Sequence, residues 1–102
     1  MAFVTVAKAA DVPVGKAVYV EAARVALAVF NLGGGRFRAV TPLCPHEDGP
    51  LAEGWLEADN VVCPWHGYDF DLTTGRCNVD ASLSVGVYET RVVDGEVEVD
   101  IP

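Results

Sequence analysis

Both histidines of this chain lie close to cysteines, in two short segments that contain two of its three cysteines. The first segment is Cys44-Pro45-His46, and the second is Cys63-Pro64-Trp65-His66, after an intervening stretch of 16 residues (47–62). In each segment one tight turn is enough to direct the thiol and the imidazole at a common point. Two thiolates and two neutral imidazoles make a metal-binding donor set, so the sequence predicts four ligands: Cys44, His46, Cys63 and His66.

Two kinds of metal centre fit this donor set. Tetrahedral zinc binds two thiolates and two imidazoles, although zinc sites more often group like ligands in Cys-x-x-Cys and His-x-x-x-His spacings. A two-iron, two-sulfide cluster binds the same side chains, with both cysteines on one iron and both histidines on the other. Each segment here supplies one cysteine and one histidine in the same order, which favours a cluster held between two loops.

The two segments read CPH and CPWHG, and they resemble the paired motif of the Rieske iron–sulfur proteins, in which C-x-H precedes C-x-x-H-G. The match includes Gly67, and a weaker resemblance extends from about residue 17 to residue 101. It implies one 2Fe-2S cluster with two cysteine and two histidine ligands. It also implies an all-β fold, a Rieske-type antiparallel sandwich or barrel, whose base (about 1–41 and 81–102) carries an inserted cluster-binding subdomain (about 42–80).

Alternation of apolar and polar residues indicates a chain made of strands and turns. Strands are predicted at 3–8, 17–22, 25–32, 36–40, 84–93 and 96–101, with shorter ones at 55–56, 60–63, 68–71 and 76–79. Asp94-Gly95 and the glycines at 33–35 are typical of hairpin turns. A single helix over 17–32 is the competing interpretation, but the valines there favour two strands. Trp55 is expected in the core.

The formal charge of −8 is concentrated in the segment that holds the predicted ligands. Residues 42–80 contain eight acidic residues and one basic residue, Arg76, whereas the rest of the chain contains seven acidic and six basic residues. Such a negative surface disfavours binding to nucleic acid and to anionic membranes. It favours redox partners with basic docking patches, which the acidic segment would attract.

Composition also predicts a single cytoplasmic domain of 102 residues. No apolar run approaches the length of a membrane span, and the first 16 residues lack the basic and apolar regions of a secretory signal. Three cysteines, two of them predicted as ligands, leave no disulfide framework, as expected in a reducing compartment. Cys77 is expected to be a small, partly buried side chain outside the metal site.

Residues around the two motifs predict a low reduction potential. High-potential respiratory members of the Rieske family join the cluster loops by a disulfide, at positions that here are Trp65 and the segment 47–49. Those members also place a serine and a tyrosine, whose hydroxyls donate to sulfur, where this chain has Tyr68 and Phe70. Fewer donors and more surrounding acid stabilise the added electron less, so the resemblance implies a potential near or below about −150 mV.

The resemblance as a whole is to the soluble Rieske ferredoxins of bacterial oxygenase systems. It implies a monomeric one-electron carrier that accepts electrons from a flavoprotein reductase and passes them to a terminal oxygenase, with no enzyme activity of its own. An oxygenase would also need a mononuclear iron on two further histidines and a carboxylate, and the chain has only two histidines. The alternatives are a small subunit of a larger oxidoreductase, such as assimilatory nitrite reductase, and a non-redox module that binds zinc.

Overall fold

Antiparallel β-strands make up nearly all of the regular structure in the computed structural model, which describes residues 2–45, 48–65 and 67–101. In chain order the strands are β1 (Ala2–Lys8), β2 (Ala17–Ala22), β3 (Val25–Gly33), β4 (Arg36–Val40), β5 (Trp55–Glu57), β6 (Asn60–Val62), β7 (Asp69–Asp71), β8 (Val87–Tyr88), β9 (Thr90–Val93) and β10 (Glu96–Ile101). Two 3₁₀-helices, Ala9–Asp11 and Leu51–Glu53, lie in the connections, and no helix in the described ranges is long and apolar enough to cross a membrane. The predicted all-β fold is confirmed.

A four-stranded sheet has the order β2-β3-β4-β8. Ala22 of β2 pairs with Val25 of β3, so only Ala23 and Arg24 make the turn between them. Both turn residues have positive φ, 49° and 67°, as a type I′ hairpin requires. The predicted pair of strands is confirmed and the single-helix interpretation is wrong, because burial of the β-branched and aromatic side chains of β3 outweighs the helix propensity of the alanines.

A three-stranded sheet has the order β1-β10-β9, so the first and last strands of the chain are paired. The β9–β10 hairpin turns at Asp94 and Gly95, with φ of 52° and 77°, as the sequence predicts. Along β10 the side chains alternate between solvent and interior, and the buried ones are Val97, Val99 and Ile101. This alternation is the pattern of a sheet with one face on a core.

The segment 84–93, predicted as one strand, is divided between the two sheets. Its first half, β8, pairs with β4, whereas its second half, β9, pairs with β10. The chain crosses from one sheet to the other at Glu89, whose carbonyl accepts a hydrogen bond of 2.9 Å from the Asp100 N–H. Alternation does not reveal such a crossing, because both halves keep the same period of two.

A third sheet, β5-β6-β7, consists of strands of three residues each. The predicted strand at 76–79 is wrong, since that segment forms two isolated bridges, Phe70 with Cys77 and Arg76 with Ser84, in place of a continuous strand. The expectation of a core Trp55 is also wrong. Its side chain is half exposed, and its Nε1–H donates to the Glu57 carboxylate at 3.1 Å.

β3 separates two cores because it is buried on both faces. Leu27 and Val29 face the valine-rich core, whose buried members are Val12, Leu27, Val29, Phe37, Ala39, Val97, Val99 and Ile101. Ala28 and Phe30 face the cysteine core, which contains all three cysteines and consists of Ala28, Phe30, Val40, Cys44, Leu51, Val61, Cys63, Phe70, Leu72, Cys77 and Val85. The predicted cysteine ligands therefore lie on one side of the central strand.

Candidate metal centre

Two of the four predicted ligands, Cys44 and Cys63, lie together in the cysteine core, and both are fully buried. The other two, His46 and His66, lie outside the described residues. Within 2–45, 48–65 and 67–101, no three histidine, cysteine or acidic side chains come together in a metal-binding group. The described part of the predicted donor set is therefore its pair of cysteine sulfurs, each of which lies on a separate loop.

The first loop connects β4 to the Leu51–Glu53 helix and folds back on itself through backbone hydrogen bonds. The Cys44 N–H donates to the Gly49 carbonyl at 2.8 Å, and the Asp48 N–H donates to the Cys44 carbonyl at 2.7 Å. At the ends of the loop, the Leu51 N–H donates to the Pro42 carbonyl at 2.9 Å. These bonds fix the backbone of Cys44 from both sides, which holds its side chain in the core.

The second loop connects β6 to β7, whose pairing of Val62 with Asp69 closes it as a hairpin. The Cys63 N–H donates to the Tyr68 carbonyl at 2.7 Å across the loop. The Trp65 N–H lies 3.4 Å from the Cys63 Sγ and donates to it. An N–H donor of this kind offsets part of the negative charge of a sulfur that binds a metal or a cluster.

The two loops meet at Gly49, which is buried. A Cβ atom on Gly49 would lie 2.6 Å from the Cys63 Sγ and 3.3 Å from the Cβ of Trp65. This contact brings the first loop directly against the sulfur of the second. Buried sulfurs on two touching loops are suited to a soft metal or an iron–sulfur cluster. The residues present therefore fit the cluster that the motif implies.

The third cysteine, Cys77, shares the cysteine core and is 5% exposed. Its thiol is free, and its Sγ accepts a hydrogen bond from the Asp80 N–H at 3.4 Å. The side chain was expected to be partly buried, and it is more deeply buried than that. The sequence did not predict that Cys77 would share a core with the other two cysteines, because the bridge that brings it there, from Phe70 to Cys77, is not visible in any local pattern.

The surface beside the buried cysteines combines apolar and acidic side chains. Leu43 and Trp65, which flank them in sequence, are 50% and 46% exposed. Asp48 and Glu53 are exposed on the first loop and on the helix that follows it. The exposed Asp80 carboxylate, in contrast, accepts hydrogen bonds. The Ser82 hydroxyl and backbone N–H donate to it and lower the pKa of Asp80.

Several acidic residues of 42–80 hold local structure. Asp59 forms an ion pair with Arg36 at 3.2 Å, and the Asp71 carboxylate accepts hydrogen bonds from the backbone of Thr73 and Thr74. Asp69 accepts a hydrogen bond of 2.9 Å from the Asn78 amide. Asp59, Asp69 and Asp71 therefore make structural contacts. Asp48 and Glu53, on and beside the first loop, expose their negative charge to solvent.

Comparison with known proteins gives the same family as the motif. The Rieske [2Fe-2S] domain matches residues 2–89. The 3-phenylpropionate/cinnamic acid dioxygenase ferredoxin subunit of Shigella flexneri is 37% identical over 95 residues, which cover 91% of this chain and 88% of the relative.

Several solved structures share the fold. The ferredoxin in a complex of reduced oxygenase and oxidised ferredoxin of carbazole 1,9a-dioxygenase superposes with a TM-score of 0.83 at 33% identity, over 95% of this chain and 91% of that one. A protein described as a putative NADH-dependent nitrite reductase small subunit from Mycobacterium tuberculosis superposes with a TM-score of 0.91 at 25% identity, over 99% and 96%. With the matching motif, fold and buried cysteine loops, this chain belongs to the Rieske [2Fe-2S] domain family.

Proposed function

We propose that this protein is a one-electron carrier of an oxygenase system, a Rieske ferredoxin that binds one 2Fe-2S cluster. Cys44 and Cys63 would bind one iron, and His46 and His66 the other. The cluster, when bound, supplies reversible uptake of a single electron. The observation that carries the proposal is the burial of both cysteine sulfurs in one core, on two loops that touch each other.

The chain's own residues would set the properties of this site. Burial of Cys44 and Cys63 excludes water from the sulfurs, and the Trp65 N–H is a donor to one of them. Phe70 packs in the same core, where its ring offers no hydroxyl to a sulfur. A site with few donors and acidic surroundings stabilises the reduced state poorly, which supports a potential near or below about −150 mV.

The division of the chain into two parts is also a proposal. Residues of about 42–80 would form the cluster-binding subdomain, inserted into a base of about 1–41 and 81–102. Support comes from the position of the β5-β6-β7 sheet and of both cysteine loops, which all fall within 42–80. The valine-rich core has all its buried members outside that range.

Partners are inferred from the relatives and from charge. A flavoprotein reductase would deliver the electron and a terminal oxygenase would receive it, each with a basic docking patch. The names of the dioxygenase ferredoxin subunit and of the carbazole dioxygenase complex support the oxygenase. Exposed Asp48 and Glu53 near the first loop support the basic patches. We further propose a cytoplasmic protein that is monomeric when isolated.

Anaerobic purification followed by iron and sulfide analysis tests the cluster. We expect two irons and two acid-labile sulfides per chain, and substitution of either histidine by alanine should abolish the bound cluster. Stopped-flow oxidation of the reduced protein by the 3-phenylpropionate dioxygenase oxygenase component tests the carrier role. The rate should fall with ionic strength, because exposed charges are screened. A colourless preparation that contains zinc would contradict the proposal.

A second function, as the small subunit of a nitrite reductase, has one observation in its favour, the superposition on the Mycobacterium tuberculosis protein with a TM-score of 0.91. The two functions differ in the state of the isolated protein. A carrier is a stable monomer that exchanges partners, since electron-transfer interfaces are small and weak. A subunit would instead co-purify in a fixed stoichiometry with a larger catalytic chain, which size-exclusion chromatography with light scattering detects.

A further inference from the structure

The geometry points to Gly49 as a positioning residue for the candidate cluster, because its missing side chain lets Trp65 and the Cys63 sulfur close against the first loop. We call this contact between Gly49 and the Cys63–Trp65 segment the loop clamp. The inference rests on the proposed role of Cys63 as a cluster ligand. According to this inference, packing at Gly49 holds the two loops together without a covalent bond.

Space, and not backbone conformation, explains the glycine at position 49. Its φ is not among the positive values that favour glycine, unlike those of Gly67 and Gly75. A Cβ at this position would lie 2.6 Å from the Cys63 Sγ and 3.3 Å from both the Cβ and Cγ of Trp65. Non-bonded heavy atoms are most stable at separations of about 3.5–4.0 Å, so a methyl group here would force its neighbours to move.

Neither side of the loop clamp is free to move away. The Gly49 carbonyl accepts the Cys44 N–H, so a displacement of Gly49 would also displace the backbone of Cys44. On the other side, Cys63 is held by the Tyr68 carbonyl and by the N–H of Trp65. Gly49 therefore contacts both proposed cysteine ligands. Its carbonyl accepts the backbone N–H of Cys44, and its Cα packs against the Cys63 sulfur.

Other crowded glycines of the chain have a different role. A Cβ on Gly54 would meet the carbonyl oxygen of Val62, and one on Gly75 would meet that of Val85. Those glycines allow two stretches of backbone to approach each other. Gly49, among the described glycines, is the one whose missing Cβ makes room for a cysteine sulfur.

The resemblance to respiratory Rieske proteins places the disulfide between the loops at Trp65 and within the segment 47–49, which ends at Gly49. The Cβ built on Gly49 lies 3.3 Å from the Trp65 Cβ, close to the separation of about 3.5–4.5 Å that a disulfide spans. This chain puts a glycine and a large aromatic ring at that place instead. Packing of this kind is not reducible, so thiol reductants should leave cluster retention unchanged.

The test compares the wild type with Gly49→Ala and with Gly86→Ala. Gly86 is a matched control, because its φ is also ordinary and its Cβ would meet only a methyl group, Thr41 Cγ2 at 3.1 Å. The readouts are the rate at which visible absorbance is lost in the presence of an iron chelator, and the reduction potential.

Gly49→Ala should lose its cluster roughly tenfold faster, as overpacking of a dense site predicts. Its potential should shift to more negative values, because movement of Cys63 weakens the Trp65 N–H bond to sulfur. Gly86→Ala should lose its cluster within about twofold of the wild-type rate.

Wild-type values for both retention and potential in Gly49→Ala would overturn the inference. If Gly49→Ala yields no folded protein, Trp65→Ala decides the matter, because it opens the loop clamp from the other side. Faster cluster loss in Trp65→Ala supports the loop clamp, and unchanged loss overturns it. A wild-type protein without any cluster would instead overturn the proposed function itself, and the inference with it.

Discussion

The two cores on either face of β3 are built by different means. The valine-rich core is formed by hydrophobic side chains that are mostly on long strands, such as β3 and β10, joined through short hairpins. Apart from residues of β3 and β4, the cysteine core is formed by strands of three residues and by loops closed through backbone hydrogen bonds. The first core consists of buried apolar side chains, whose removal from water stabilises the fold. The second contains the two cysteines that we propose as cluster ligands, so the proposal makes its stability depend on the bound cluster.

Loss of a proposed ligand should have the largest effect and should be confined to the cysteine core. Cys63→Ser should abolish the bound cluster, because the sulfur buried against Gly49 is removed. The β-sheet signal in far-ultraviolet circular dichroism should persist, since the valine-rich core contains no cysteine. Iron analysis and visible absorbance check the first expectation.

Cys77→Ser is the matched control, because Cys77 is buried in the same core and its thiol is free. This variant should keep its full complement of iron. An equal loss of iron from both variants would show that any polar change in the cysteine core releases the cluster, and the specific role of Cys63 would then fall.

A cavity in the valine-rich core should lower the stability of the fold and leave the cluster site unchanged. Leu27 is fully buried on β3, and Leu27→Ala should lower the free energy of unfolding by about 2–5 kcal/mol. The reduction potential should not change, because Leu27 faces away from the cysteines. Thermal unfolding and a redox titration of the same sample measure both quantities. A shifted potential would mean that the two cores are coupled through β3.

How much the sequence could predict also differs between the two cores. The turn at Asp94-Gly95 was predictable because its two residues alone determine the hairpin. The turn at Ala23-Arg24 was placed only because strand patterns flank it, since neither residue is usual at positive φ. Hairpins are local, so most of the sheets could be derived from short windows of sequence.

Contacts between distant segments were not predictable in this way. The motif indicated Cys44 and Cys63 as a pair, but nothing in it indicated that Gly49 lies against the Cys63 sulfur. The crossing at Glu89 and the position of Cys77 in the cysteine core were also not predictable from local sequence. Each depends on how one loop or sheet packs on another, which hydrophobic periodicity does not encode.

The exposed ion pair between β4 and the β5–β6 turn should contribute much less to stability than the buried side chains of either core. Arg36, at the start of β4, lies 3.2 Å from Asp59 in the β5–β6 turn, and both side chains are about half exposed. Arg36→Ala should cost less than about 1 kcal/mol of stability, and the difference should shrink as salt is added. Urea denaturation at two ionic strengths measures it. A larger, salt-insensitive effect would contradict a solvent-screened contact.

The smallest effect should come from the Asp80 turn beside Cys77. Hydrogen bonds from Ser82 lower the pKa of the Asp80 carboxyl, so their contribution is present above the unfolded pKa of about 3.9 and is lost as pH falls through the lower, folded value. Ser82→Ala should move the pKa of Asp80 back towards its ordinary value, as followed by carbon-13 NMR titration of the carboxyl group. Stability at neutral pH should change little, and an unmoved pKa would contradict the assigned cause.

The most direct test of the carrier function is a spectroelectrochemical reductive titration of the anaerobically purified wild-type protein. The proposal predicts a red-brown centre that takes up one electron near or below about −150 mV. A potential well above zero would contradict the low-potential assignment drawn from Tyr68, Phe70 and the acidic surroundings. The absence of any redox-active absorbance would contradict the central claim that this chain carries electrons.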